Sequence, residues 1–380
     1  MRIALDARTI YRPDRRGTGK NLVDLYAHVL TLKPDWQVLA LHRSSAEVAG
    51  VLPPAALPRR IEMPGDRLNA WERFRLPWAA WSQRADVLHC PANTAPAWMP
   101  VPALVTIHDL IPLDMPQWYA PAYVERFAGA VRHACQRAAG IICPSHYTAQ
   151  RLRAEFQADP EHLAVIPWAP DSAMRALDRA QCQSVLAAYG VAEPYVLHFG
   201  GADPRKNTRR LIEAWAMLDA ATRRIWKLLI VGLDPSAQET LRPVVQRLEL
   251  TDSIVMHDFA AEADLPALLS AAEVLAYPSL SEGFGLPILD AFVAGTPVLT
   301  SNVTSLPEVA GKAAVLTDPC DACAMARGLA WLIRDRRLRD EMVALGRRRV
   351  QEFTWARTAR CFVSAVEQAA AGNQKARQAA

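Results

Sequence analysis

Short runs of β-branched and aliphatic residues alternate along this chain with longer segments in which apolar positions recur every three or four residues. The short runs suit buried strands and the longer ones helices, so the chain reads as parallel sheets covered by helices. In the first half RIALDA, VLALH, DVLHC, LVTIHD and GIICPS are the expected strands, with helices such as NLVDLYAHVLTL and YVERFAGAVRHACQRA between them. The alternation then restarts: YVLHFGG, KLLIVG, SIVMHD, VLAYPS and TPVLTS are strands, separated by TRRLIEAWAML, AQETLRPVVQRLE, ADLPALLSAA and PILDAFVAG. Between the two series PWAPDSAMRALDRAQCQSVLAAYGVAEPY is rich in Pro and Asp and has no strand before Tyr195, which puts a domain boundary near residues 170 to 190. The closing GRRRVQEFTWARTARCFVSAVEQAA is one long helical pattern with no strand after it, and AGNQKARQAA reads as a frayed tail.

At 380 residues the chain exceeds the size at which single cores stop growing, in keeping with two domains. Two successive doubly wound units imply two sheets facing one another across a cleft. Ligands of such sheets bind outside the carboxyl ends of the strands, so every loop just after a strand is a candidate.

The composition, 51% hydrophobic and 22% charged, contains no run of eighteen apolar residues and no charged-then-apolar leader, so a soluble, cytoplasmic protein is expected. Seven scattered cysteines are most simply free thiols; Cys320 and Cys323 form a CxxC with no second pair or nearby His to complete a zinc site. A net charge of +4 is too small for a nucleic-acid binder. The excess is uneven, with 19 Lys and Arg against 15 Asp and Glu in residues 1 to 170 and 24 against 24 in residues 171 to 380. Part of it lies in residues 67 to 84, where Trp71, Phe74, Trp78 and Trp81 recur among Arg67, Arg73, Arg75 and Arg84. Such a segment suits the surface of an anionic membrane, or an amphipathic helix whose aromatics enter the core. Pro77 interrupts the pattern, and the core helix is the favoured reading.

Several polar groups fall in post-strand loops. RRGTGKN places Gly17, Thr18 and Gly19 at the opening of a helix, where backbone N–H groups can approach a phosphate; it matches neither the Walker spacing nor GxGxxG, and a surface turn reads equally well. FGGADPRKN runs from a strand through Gly200 and Gly201 to Arg205 and Lys206 at a helix start. The helix dipole disfavours cations there, so something anionic is expected alongside. VTIHDL ends a strand at His108 and Asp109; a His there serves as acid, base or hydrogen-bond donor, although a lone His is more often structural. Ser145, in CPSHYTAQRL, is expected to cap a helix.

The last group is SLSEGFGLPILDAFVAG. Gly283, Phe284 and Gly285 form a tight loop, Leu286 and Pro287 open a helix, Glu282 hangs at the strand end, and Asp290 follows in the first turns of the helix. Free amides at this start can meet a phosphate or a sugar hydroxyl. A simple first-turn carboxylate is the bland reading of Asp290, which its pairing with Glu282 makes less persuasive.

The stretch SLSEGFGLPILDAFVAGTPVLTSNVTSLPEVAGKAAVLTDP resembles the donor-binding region of retaining glycosyltransferases of family 4. GTGKN resembles that family's N-terminal glycine loop, VTIHDL its His-bearing loop, GGADPRKN its basic phosphate-binding turn and EFTW the start of its C-terminal helix, so the likeness covers nearly the whole chain. The resemblance implies an α/β chain of the GT-B fold, with two Rossmann-like doubly wound domains facing across a cleft. Residues 1–175 would form the acceptor-side domain and 190–355 the nucleotide-sugar domain, with 356–380 a helix returning to the first domain and a tail.

Carried over by position, the resemblance implies that Glu282 contacts hydroxyls of the transferred sugar, the amides around Phe284, Gly285 and Leu286 meet sugar or diphosphate, and Asp290 holds the ribose. Lys206 and Arg205 would neutralise the leaving diphosphate, Gly17 to Gly19 close over it, and His108 hydrogen-bond the donor sugar. Asp290 stands where relatives usually have Glu, and Gly201 where many have Arg, which shifts phosphate neutralisation to Arg205 and Lys206. The implied activity is a metal-independent, retaining transfer, without a bound cofactor, from a GDP- or UDP-linked sugar to a carbohydrate or lipid-linked acceptor. GGADPRKN and HDLIPL resemble mannosyltransferases of bacterial surface-polysaccharide and lipopolysaccharide assembly, which favours GDP-mannose, while the basic aromatic segment of residues 67 to 84 admits a peripheral contact with the cytoplasmic membrane face. The alternatives are a sugar-nucleotide epimerase of the same fold and a non-catalytic nucleotide-sugar-binding protein.

Overall fold

The structure, a computed structural model, describes residues 1–11, 17–42, 51–53, 56–60, 71–192 and 194–378. The chain divides into two units: Met1–Ala169 with Thr354–Ala380, and Pro170–Phe353.

The first unit holds a seven-stranded parallel sheet built from β1 (Arg2–Asp6), β2 (Gln37–His42), β3 (Ala56–Arg60), β4 (Val87–Cys90), β5 (Ala103–Thr106), β6 (Gly140–Cys143) and β7 (Leu163–Val165). Their order across the sheet is β3-β2-β1-β4-β5-β6-β7. The second unit repeats the plan with β8 (Tyr195–Phe199), β9 (Lys227–Val231), β10 (Ile254–Met256), β11 (Val274–Tyr277), β12 (Val298–Ser301) and β13 (Ala314–Thr317), ordered β10-β9-β8-β11-β12-β13 and again all parallel. In both sheets the strand order reverses beside the unit's first strand, between β1 and β4 and between β8 and β11. This switch point is where a doubly wound sheet opens a crevice for ligands.

The central strands are buried from end to end, as expected where helices cover both faces. The sequence pattern predicts all of them together with edge strand β10 and misses β3, β7 and β13, which lie on sheet edges. Strand β3 carries Pro58, tolerated only where no neighbour needs its missing N–H. Strand β7 is three half-buried residues, and β13 has one exposed and two half-buried positions, so neither shows a full apolar run.

Two helical expectations change. The closing pattern is two helices, Arg336–Val350 and Trp355–Gln378, and the residues read as a tail continue the second to Gln378. Trp355, Ala359, Phe362, Val366 and Ala369 form its buried stripe, with Phe362 edge-on to Tyr26 of helix Gly17–Leu32 in the first unit.

The basic aromatic segment turns its aromatics mostly outward, against the favoured core reading. Trp71 is fully buried, but Phe74 is 63% exposed, Trp78 54% and Trp81 49%. Pro77 does not break this segment. It sits in the first turn of helix Leu76–Ser82, after a wider π turn over Trp71–Arg75, where a missing amide is tolerated. Arg67 lies outside the described residues. Among the described residues no helix is long and apolar enough to cross a membrane.

Candidate functional site

Strands β8 and β11 pair side by side at the switch point of the second unit, with Val274 opposite Val196 and Leu275 opposite Leu197. The loops that leave their carboxyl ends are FGGADPRKN and YPSLSEGFG. Beneath them His198 is fully buried, its Nδ1 donating to the Ala276 carbonyl at 2.8 Å and its Nε2 accepting from the Thr208 hydroxyl at 3.0 Å. Burial, with a smaller contribution from the charge of Lys206, lowers its pKa to about 4. It stays neutral and ties both strands to helix Thr208–Ala216.

Gly200 lets the first loop leave the sheet. A Cβ there would meet Ile230 at 2.9 Å and Leu233 at 3.0 Å, whereas one at Gly201 would make only ordinary van der Waals contacts, the nearest with the Asp203 amide nitrogen at 3.8 Å. Asp203 then caps a 3-10 turn over Pro204–Lys206, accepting the Arg205 amide at 3.0 Å. Asn207 adopts a left-handed conformation at the start of the next helix, and its side-chain amide donates to the carbonyls of Pro278 and Pro319. The turn aims Arg205 and Lys206 at the second loop.

There they meet Glu282. Arg205 Nη1 lies 2.6 Å from Glu282 Oε2, and Lys206 Nζ lies 2.9 Å from Oε1. Arg205 Nε also donates to Asp203 at 2.7 Å. The Tyr277 hydroxyl, at the end of β11, donates to Glu282 Oε1 at 2.5 Å and accepts from Lys206 at 2.9 Å, and the ammonium lies 4.9 Å from the centre of the tyrosine ring. Only 11% of the Glu282 side chain is exposed. Burial would push its carboxyl upward, but the two cations and the Tyr277 hydrogen bond prevail and hold it down to about 2. Lys206 is likewise opposed by burial but raised by Glu282. The anion expected beside the basic pair is therefore a side chain of the chain itself. The bonds described use two of the three ammonium protons of Lys206 and leave one for a ligand.

The loop carrying Glu282 is clamped from the turn that follows β12. Ser305 Oγ donates to the carbonyls of Glu282 and Phe284, and Thr304 Oγ1 accepts the Glu282 amide at 3.3 Å. Gly285, at φ +112°, turns the loop into helix Leu286–Ala294; a Cβ there would meet Leu306 at 2.7 Å. Phe284 packs edge-on against Phe353, so its ring is structural while the amides of Phe284, Gly285 and Leu286 lie around the helix start.

Asp290 is the fifth residue of that helix, beyond its first turn, which removes the reading as a first-turn carboxylate. Its Oδ1 accepts the backbone amide of Asp171 at 3.0 Å, so it anchors the segment that opens this unit. The seven residues between Glu282 and Asp290 thus separate an acid engaged with cations from an acid engaged with backbone.

The remaining expected residues lie in the first unit. Gly17, Thr18 and Gly19 form the first turn of helix Gly17–Leu32, while Arg15 and Arg16 lie outside the described residues. His108, two residues beyond β5, stacks on Trp168, donates its backbone amide to Asn93 Oδ1 at 2.6 Å, and points Nε2 at the Pro91 carbonyl 2.7 Å away. A carbonyl only accepts, so Nε2 carries the proton. Burial lowers the ring's pKa, outweighing the opposing pulls of Pro91 and Asp109. The neutral ring presents Nδ1 as an acceptor. Ser145 caps helix His146–Phe156 through Thr148, as expected.

Sequence reasoning missed Tyr277, whose position as the last residue of an apolar strand reads as core. It also missed Asp203 and Ser305, and the first unit's pairing of Arg8 with Asp6 and Glu72 at 2.6 and 2.8 Å beside the end of β1. Among the described residues no group of three or more His, Cys, Asp or Glu side chains is placed to hold a metal ion.

Comparison with known proteins agrees with this architecture. A family model described as glycosyl transferases group 1 matches residues 190–349, and one described as glycosyltransferase family 4 matches residues 20–173. The chain is 30% identical over 282 residues to the O-antigen chain mannosyltransferase B of Escherichia coli, covering 74% of each protein. Its fold is similar to that of sucrose-phosphate synthase from Thermosynechococcus elongatus, with a TM-score of 0.74 at 20% identity over 100% of both chains. It is also similar to Anabaena Alr3699/HepE in complex with UDP and glucose, with a TM-score of 0.75 at 18% identity over 97% of this chain and 99% of the other. With the relative and the family models agreeing over most of its length, the chain belongs to the family 4 glycosyltransferases and has their GT-B fold.

Proposed function

We propose that this glycosyltransferase moves mannose, from GDP-mannose in preference to a UDP-sugar, onto a carbohydrate or lipid-linked acceptor in the assembly of a surface polysaccharide, with retention of anomeric configuration and without a metal ion. The observation that carries the reading is the Arg205–Lys206–Glu282 cluster at the switch point of the second unit. The O-antigen mannosyltransferase of E. coli supports the choice of sugar and pathway class.

Breaking the bond between the sugar and its diphosphate puts positive charge on the sugar ring and negative charge on the departing phosphate. Fixed cations and amides aimed at that phosphate stabilise the transition state. Lys206 and Arg205 supply the cations, and the helix start at Gly285 and Leu286 supplies amides, with Gly201 and Gly283 letting the loop backbone approach the donor. Glu282 takes sugar hydroxyls and Asp290 the ribose. In the first unit, His108 takes a substrate hydroxyl on Nδ1 and Gly17 to Gly19 offer amides to phosphate. The acceptor hydroxyl attacks from the face the diphosphate leaves, and its proton passes to the leaving phosphate.

Incubation with a panel of GDP- and UDP-sugars, following nucleotide release and the anomeric configuration of the product by NMR, tests this reading. Inversion at the sugar's C1 refutes retention. Isomerisation of the nucleotide sugar without transfer favours an epimerase, and binding without turnover a non-catalytic protein.

A peripheral membrane contact is a second element of the reading. Phe74, Trp78 and Trp81 are exposed beside Arg73 and Arg84, and the two tryptophan rings lie 5.1 Å apart, a surface that matches an anionic bilayer in charge and polarity.

A further inference from the structure

Glu282 Oε1 receives two hydrogen bonds from groups that also bond one another. Lys206 Nζ donates to Glu282 at 2.9 Å and to the Tyr277 hydroxyl at 2.9 Å, and that hydroxyl donates to Glu282 at 2.5 Å. The triangle is largely buried: Tyr277 is 1% exposed, Glu282 9% and the Lys206 side chain 18%. Such closure poses a problem if Lys206 is to give a diphosphate more than the one ammonium proton these bonds leave. An ammonium that turns away from a buried carboxylate leaves that carboxylate short of a partner, and the loss opposes ligand binding.

Tyr277 removes the problem. Its hydroxyl has one proton to give and lone pairs to accept with. With the proton already directed at Oε1, the carboxylate keeps a donor on that oxygen after Lys206 departs, and Arg205 continues to hold Oε2. The ring itself is fixed as the end of β11, with its backbone carbonyl accepting from Thr300 at 2.8 Å, so the hydroxyl cannot follow the lysine away. A phenylalanine would keep the buried ring at the end of β11, which leaves the hydroxyl to be explained by what it bonds.

We propose that Tyr277 is a positioning residue for Lys206: its hydroxyl retains Glu282 when the ammonium swings to the donor's diphosphate, and so lowers the cost of recruiting Lys206 to the leaving group. The inference rests on the reading of Lys206 as a phosphate-binding cation given above.

The test is a double-mutant cycle on nucleoside diphosphate affinity, with GDP and UDP titrated calorimetrically into the wild type, Tyr277→Phe, Lys206→Ala and the double variant, alongside thermal melting of each. Tyr277→Phe is expected to weaken the preferred diphosphate about tenfold, the scale of one charge-assisted hydrogen bond. Adding it to Lys206→Ala should change affinity less than twofold, because no lysine then remains to release. A merely structural tyrosine would lower the melting temperature and leave the affinity alone, or lower affinity by the same factor in both backgrounds; either result overturns the proposal. If Lys206→Ala itself binds both diphosphates like the wild type, the phosphate-binding reading of the site fails, and the role of Tyr277 falls with it.

Discussion

Lys206 Nζ and Glu282 Oε1 lie 2.9 Å apart although 76 residues separate them, because the sheet sets β8 beside β11 and each residue leaves the carboxyl end of its strand. This pair makes the site electrically self-contained before any ligand arrives. Arg205 and Lys206 are balanced by Asp203 and Glu282, so an incoming diphosphate must compete for the cations rather than simply meet them.

One consequence is an acid-sensitive site. Glu282 is held down to about 2 in the folded chain, against 4.5 for an ordinary glutamate. In that interval the unfolded state binds more protons than the native one, so the stability contributed by Glu282 is complete above about pH 4.5 and is lost as pH falls toward 2. Urea denaturation at several pH values should show a steeper loss in this window for the wild type than for Glu282→Gln. Parallel curves would remove Glu282 from the acid response.

The two acids of the SEGFGLPILD stretch should separate in a binding assay. Glu282→Ala is expected to damage transfer severely and spare affinity for the free nucleoside diphosphate, since its loss releases the cations. Asp290→Ala should weaken that affinity by roughly 1.5–3 kcal/mol, the range for a lost charged hydrogen bond, and should also loosen the segment at Asp171 that it now holds. Weakened binding in the first variant with normal binding in the second contradicts this division of labour.

In the proposed reading Arg205 and Lys206 do the work of a divalent ion in offsetting phosphate charge. Turnover should therefore survive EDTA nearly unchanged. Abolition by the chelator, with recovery on adding magnesium or manganese, would show that the cations do not suffice.

The exposed aromatics of residues 71 to 84 predict a salt-sensitive attraction to anionic lipid. Co-sedimentation with vesicles should rise with anionic lipid content and fall when Arg73 and Arg75 become Glu. No co-sedimentation at low salt, with acidic vesicles, leaves Phe74, Trp78 and Trp81 without a lipid partner.

Much of this architecture was legible in the residues. Buried central strands such as VLAY and KLLIV carry an uninterrupted apolar run, and turn chemistry such as Gly200 and Gly285 marks where the chain leaves them. The edge strands β7 and β13 were not legible, because a half-exposed strand of three or four residues lacks that run. Nor were the exposed tryptophans: helical spacing shows which residues share a face but not whether that face looks inward. The site divided in the same way. The residues of the basic turn and the acidic loop are visible in the sequence, but their mutual engagement depends on which strands are neighbours. The last residue of an apolar strand, Tyr277, gives no sign that its hydroxyl reaches a carboxylate.

The central claim is that Lys206 stabilises a departing nucleoside diphosphate. It is tested most directly by the turnover of GDP-mannose and the nucleotide-sugar panel by the wild type and by Lys206→Ala, measured side by side under saturating donor. The account predicts nucleotide release by the wild type and a kcat lowered ~10²-fold or more in the variant, the scale of removing one preorganised stabiliser. A variant whose kcat and kcat/KM both match the wild type would contradict it.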